Sequence, residues 1–249
     1  MTGAFSLVIV CEAIADYRVA SILADRVLCA EVEWIGTETL DLHRRWQGVD
    51  AGSSNIEWHW VRNLAKQYGL KVWGKFSGES GAPDARAARL VLQLLLATDN
   101  LPDAVLLIRD SDEDNERRIG LEQARAEQSW PFPIAIGLAH VKRECWVLAG
   151  FEPQGKAEQR TLADLERELG FDPRLQSHAL RGKPGEPRYA KLVLHRLVGG
   201  DKDREEACWT GCELEILRAR GVKTGLADYL EEVRTRIVPL FADPAPEVD

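Results

Sequence analysis

The chain has 249 residues, 45% of them hydrophobic, which is enough to bury a full core in one large or two small domains and excludes an intrinsically disordered protein. The formal net charge of -8 gives no overall basic footprint, so any nucleic-acid contact must come from a local patch. Five cysteines are an odd number and suit a reducing compartment better than a disulfide framework. The amino-terminal stretch lacks a basic leader, and neither its apolar run nor "LVLQLLLA" (90–97) is long enough to span a bilayer. The expectation is a cytoplasmic protein with no membrane association.

In chain order, "FSLVIVC" (5–11) is a continuous apolar run rich in β-branched residues, as in a strand buried on both faces. "AIADYRVASILADRVL" follows with helical spacing, and "AEVEWIG" (30–36) reads as a second strand. Residues 37–82 are irregular and read as an insertion, with one helix in "EWHWVRNLAKQYGL" (57–70). "DARAARLVLQLLLATDN" (84–100) opens behind Pro83 and predicts a helix. "DAVLLIRD" then predicts a strand, "NERRIGLEQARAEQ" a helix and "FPIAIGLA" another strand. This alternation implies an α/β fold with a mostly parallel sheet flanked by helices. Beyond residue 150 strand signals fade and three helical stretches follow. The domain expectation is therefore an α/β unit over 1–151, a helical region over 152–241 and a disordered tail over 242–249.

Carboxylates fall where such a fold collects ligands, at the carboxyl ends of strands. Glu12 follows the first strand, with Asp16 one helical turn on; Asp110 and Asp112 close a later strand. If the two strands are neighbours, these hard oxygen donors suit Mg2+ or Mn2+, with Asp16 serving a second ion or a metal-bound water. Read alone, the run "RDSDED" is a solvated turn in which an acid caps the next helix, and Asp114 is assigned that role. Arg109, Lys142 and Arg143 flank the strand ends as phosphate binders, Glu144 is a further acid, and His140 is a candidate acid or base. Cys208 and Cys212 with His195 do not complete a zinc set. The tryptophans between 34 and 73 read as core or partner surface before base stacking.

The combination resembles a known domain. "VIVCEAIAD" is similar to the first Toprim motif, a strand ending in glutamate, with the Glu-x-x-x-Asp spacing of overcoming-lysogenization-defect nucleases. "LLIRDSD" resembles the second motif, a strand ending in Asp-x-Asp, and "IAIGLAHVKRECWVLAGF" resembles the strand and Glu-x-Trp helix of small stand-alone Toprim-related proteins found near bacterial defence genes. The resemblance covers roughly 5–36 and 84–151; Ala13 replaces the glycine usual after the motif glutamate, and 37–82 exceeds a minimal connection. It implies a Rossmann-like Toprim fold, metal ligation by Glu12, Asp110 and Asp112, and metal-dependent cleavage of DNA or RNA in anti-phage defence. The alternative it implies is a non-catalytic sensor or docking subunit beside an ATPase, with oligomerisation left open.

Overall fold

The structure is a computed structural model that describes residues 4–50, 52–70 and 76–242. It is an α/β protein whose chain runs β1 (Phe5–Cys11), α1 (Ile14–Glu31), α2 (Leu40–His43), β2 (Arg44–Trp46), β3 (Ile56–Glu57), α3 (Val61–Gln67), α4 (Ala82–Leu96), β4 (Ala104–Asp110), α5 (Glu116–Ala126), β5 (Ile134–Ala139) and α6 (Arg143–Ala149). The carboxyl-terminal part is helical: α7 (Gly155–Leu169), α8 (Ala190–Val198), α9 (Lys202–Thr210), α10 (Leu214–Gly221) and α11 (Leu226–Arg236). The chain forms two compact units, one of Met1–Arg109, Asp114–Gly137 and Glu232–Asp249, the other of Asp110–Glu113 and Leu138–Glu231. The disordered tail expected over 242–249 lies, apart from Ala242, outside the described residues.

In the first unit β1 is the hub. The sheet order is β2-β1-β4-β5, with β3 also on β1, and β1 pairs in parallel with β2, β3 and β4. Leu7 through Cys11 are fully buried, as a strand bonded on both edges and covered on both faces requires. Helix α1 covers it with Val19, Ala20, Leu23, Ala24, Val27 and Leu28, spaced three and four apart on one face.

The segment 37–82 is not purely irregular, because β2 and β3 both join β1 in parallel. One carboxylate on α1 secures β2. Asp25 receives Nε and Nη2 of Arg44, each at 2.7 Å, and the Trp46 indole N–H at 3.2 Å. Burial pushes the Asp25 carboxyl up from its ordinary value despite this bidentate partner. The helix expected over 57–70 is confined to Val61–Gln67: the Trp58 amide instead continues the ladder to the Cys11 carbonyl at 2.9 Å, and its indole N–H reaches the Ile108 carbonyl at 2.8 Å.

The strand expected in "AEVEWIG" is overturned. Ala30 and Glu31 end α1, the Val32 amide donates to the Leu28 carbonyl at 3.0 Å as its cap, and Ile35 turns back onto Val32 at 3.1 Å. Val32 and Ile35 are buried, so their apolar character serves packing.

Helices α4 and α5 approach backbone to backbone. A Cβ on Gly120 would lie 2.2 Å from the Gly81 carbonyl oxygen and 2.7 Å from the Ala85 nitrogen, and Gly81 itself sits at φ +74°. Gly120→Ala therefore forces the helices apart and should destabilise the protein by about 1–3 kcal/mol, read as a lowered urea midpoint. An alanine at exposed Gly52, where a Cβ meets nothing within 4 Å, tests the cost of left-handed backbone alone and should be milder.

In the second unit α6 is the core element, with Cys145 through Ala149 buried. The Trp146 indole N–H donates to the Thr224 carbonyl at 2.7 Å, and its ring stacks on Tyr229 at 5.1 Å between centroids. Among the described residues no helix is long and apolar enough to cross a membrane.

Candidate functional site

The predicted site residues divide between the two units, and each has a partner within its own unit. In the first, β1 ends at Cys11 and Glu12 follows it; Glu12 Oε1 lies 3.6 Å from Arg117 Nη1. Asp16 is tied to the start of α1: its Oδ2 accepts the Ala13 amide at 2.9 Å, while its own amide donates to the Ala13 backbone carbonyl at 3.0 Å. Arg109 does not project freely as a phosphate binder. Its Nε lies 2.7 Å from Oδ1 of buried Asp84, and its guanidinium stacks 5.1 Å from the Trp58 ring centre. Burial raises the Asp84 carboxyl above its ordinary value, while Arg109 and then Arg117 pull it back.

In the second unit a tight turn follows β4. The Ser111 amide donates to the Ala139 carbonyl at 2.8 Å and the Asp112 amide to the Val141 carbonyl at 3.1 Å. Asp112 and Glu113 adopt φ +45° and +66°, and two successive left-handed non-glycine residues cost backbone strain that the surrounding contacts must offset. Asp110 Oδ1 accepts the Arg143 amide at 2.7 Å, so this carboxylate satisfies an orphan N–H at the start of α6. Asp112 Oδ1 receives the Lys142 ammonium at 2.5 Å. Burial alone would lower the Lys142 pKa, but the Asp112 hydrogen bond and the charges of Asp112, Asp110 and Glu144 raise it above the ordinary value.

Arg143 is likewise engaged, with Nη2 on Glu144 Oε1 at 3.0 Å and Nη1 on Glu205 Oε1 at 3.1 Å. Glu144 is buried, only 5% exposed, so its charge is confined to this network. His140 Nδ1 is hydrogen-bonded to Ser111 Oγ at 3.1 Å. Burial, then the nearby Arg181, push the imidazole below its usual pKa, with Glu113 opposing. Asp114 accepts the Glu116 amide at 2.9 Å, a helix-start role.

The acids supply the hard oxygen donors that Mg2+ or Mn2+ prefers. Among the described residues, however, no group of three or more His, Cys, Asp or Glu is arranged to hold a metal ion. Occupying these carboxylates would mean displacing Lys142 from Asp112 and Arg117 from Glu12. Sequence reasoning missed Ser111, Asp84, His178, Arg181 and Lys223. Ser111 lies inside the quoted acidic run, but the others carry no spacing signal and become neighbours only through the fold. Comparison with protein-family models, with curated proteins and with solved structures finds no match to this chain.

The Asp84–Arg109 pair gives a pH test. Arg109→Ala leaves the buried Asp84 carboxylate with only the weaker pull of Arg117 and should cost about 3 kcal/mol at neutral pH. Its pKa, already raised in the folded state, rises further, so the folded protein takes up the proton first and the penalty shrinks as pH falls through that raised value. The stability gap between wild type and variant in urea titrations should thus be larger at about pH 7 than at about pH 5; a gap independent of pH would remove the charge argument.

Proposed function

We propose that this chain is a metal-dependent phosphodiesterase acting on DNA or RNA, with a role in anti-phage defence suggested by the Toprim resemblance alone. One observation carries the reading: β1 and β4, the strands followed by or ending in the motif acids, are parallel neighbours with Val10 opposite Leu107. That adjacency is the condition under which two strand ends open onto the same edge of a sheet. In this reading the motif acids are the metal ligands: Glu12 after β1 and, separately, Asp110 and Asp112 after β4 would offer oxygen donors, and Mg2+ or Mn2+ when bound would supply a Lewis acid for the phosphoryl oxygen and lower the pKa of a water. The chain's own groups contribute position and charge. Lys142, paired with Asp112, and Arg117, paired with Glu12, would each supply positive charge for a substrate phosphate were the paired carboxylate taken up by a cation.

Cleavage of labelled single- and double-stranded DNA and RNA with Mg2+ or Mn2+ tests this. Asp110→Asn keeps an acceptor for the Arg143 amide while removing the charge, and Glu12→Gln does the same at the end of β1. Both should lower the cleavage rate by at least a hundredfold with folding intact. Absence of both cleavage and Mn2+ binding in the wild-type chain would end the proposal.

A second reading, a non-catalytic docking or sensing subunit beside an ATPase, draws on a different observation: each motif acid already has a partner in its own unit. The half-exposed Trp60, tilted against His59 at 4.8 Å, is a feature such a surface would use. Retention of biological activity in Asp110→Asn and Glu12→Gln favours it over the nuclease.

A further inference from the structure

Within the second unit three short segments converge beside the turn after β4. The His140 amide donates to the Thr224 carbonyl at 2.9 Å, which fixes the end of β5 against the 3-10 turn Val222–Thr224. That turn packs on the 3-10 turn Ser177–Ala179, itself clamped to α6: Ser177 Oγ donates to the Cys145 carbonyl at 3.1 Å and Cys145 Sγ to the Ser177 carbonyl at 3.3 Å. Gly225 makes the approach possible. It sits at φ +76°, and a Cβ there would fall 2.1 Å from the Leu138 carbonyl oxygen.

Four basic side chains are carried on or beside these segments. His140 is within electrostatic reach of Arg181 and Glu113, and His178 within reach of Lys223, His140 and Arg181. Arg181 Nε donates weakly to the His178 carbonyl at 3.4 Å. Some basic groups of this unit are matched by carboxylates, as in Arg204 with Glu158 and Arg174 with Asp172. Arg181 and Lys223, both exposed, form no ion pair among the described residues. The buried Nδ1 of His178 has no hydrogen-bond partner there. Like charges held together by a rigid frame, with an unsatisfied imidazole nitrogen among them, call for an anion.

We propose that His140, His178, Arg181 and Lys223 form a phosphate-binding site. The guanidinium and ammonium would donate charge-assisted hydrogen bonds to phosphate oxygens, and the His178 Nδ1–H would supply a directed one. Burial, and then the neighbouring cations, lower both imidazole pKa values, with the Glu113 carboxylate opposing at His140 alone. The site deepens the phosphodiester reading, and the expectation that its ligand is a nucleic-acid phosphate rests on that reading. Binding of the phosphate group itself does not.

The test is titration of the full chain in EDTA, free of divalent metal, with inorganic phosphate and, separately, with a thymidine oligonucleotide, following the His178 and His140 imidazole resonances. Saturable binding of phosphate with movement of the His178 resonance is expected. The double variant Arg181→Ala, Lys223→Ala should weaken it roughly tenfold or more. The charge-retaining Arg181→Lys, Lys223→Arg should restore most of it, a rescue that a merely structural role would not show. Tighter oligonucleotide binding whose salt dependence falls in the alanine variant identifies nucleic acid as the source of the phosphate. Phosphate binding without it assigns a free phosphate ligand and keeps the site. No saturable phosphate binding, or equal affinity in the alanine variant, overturns the proposal. Because the carboxylates and metal are not engaged, this failure is distinguishable from loss of Mn2+-dependent cleavage.

Discussion

The burial of β1 is the constraint from which the first unit follows. A strand whose five residues from Leu7 to Cys11 are wholly removed from water has no solvent to satisfy its amides and carbonyls, so both edges must be paired. It therefore takes β4 on one side and the short strands β2 and β3 on the other. The segment 37–82 exists in its folded form because it completes this pairing, and Asp25 makes the docking specific by engaging both Arg44 and Trp46. A half-buried carboxylate with raised pKa is costly unless those donors are present, so the polar contacts reinforce the choice the backbone ladder makes.

The same economy governs the charged groups around the strand ends. Glu12, Asp84, Asp112 and Glu144 are each balanced by an arginine or lysine, and Asp16 and Asp110 accept backbone amides at helix starts. These bonds give the acids structural duties, and the Glu12–Arg117 pair, with the Glu12 side chain 38% exposed, is worth little in water. The strained Asp112–Glu113 turn differs in kind. Its left-handed backbone is held by bonds to Ala139 and Val141, so the turn is specified by its surroundings more than by its own preference.

Most of the regular elements were legible because their signals are local. The apolar run of β1, the three-and-four spacing of α1 and α4, and the change of period at β4 and β5 each reflect burial along one stretch of chain. Val32 and Ile35 misled because buried apolar residues look alike in a strand and in a helix cap. Trp58 misled because its amide and indole are claimed by Cys11 and Ile108, partners 47 and 50 positions away that no local pattern encodes.

The sequence by itself determined the α/β alternation, the helical carboxyl-terminal part and the acids that close β1 and β4, since hydrophobic period and residue type act through neighbours a few positions apart. Only the tertiary structure decided that β1 lies beside β4, that Arg109 turns to Asp84 and Arg143 to Glu205, and that the turns carrying His178 and Lys223 pack together. These depend on long-range pairing and on the Coulomb and desolvation energies of groups brought together from distant segments, which become definite only when the backbone has fixed their separation and excluded the water between them.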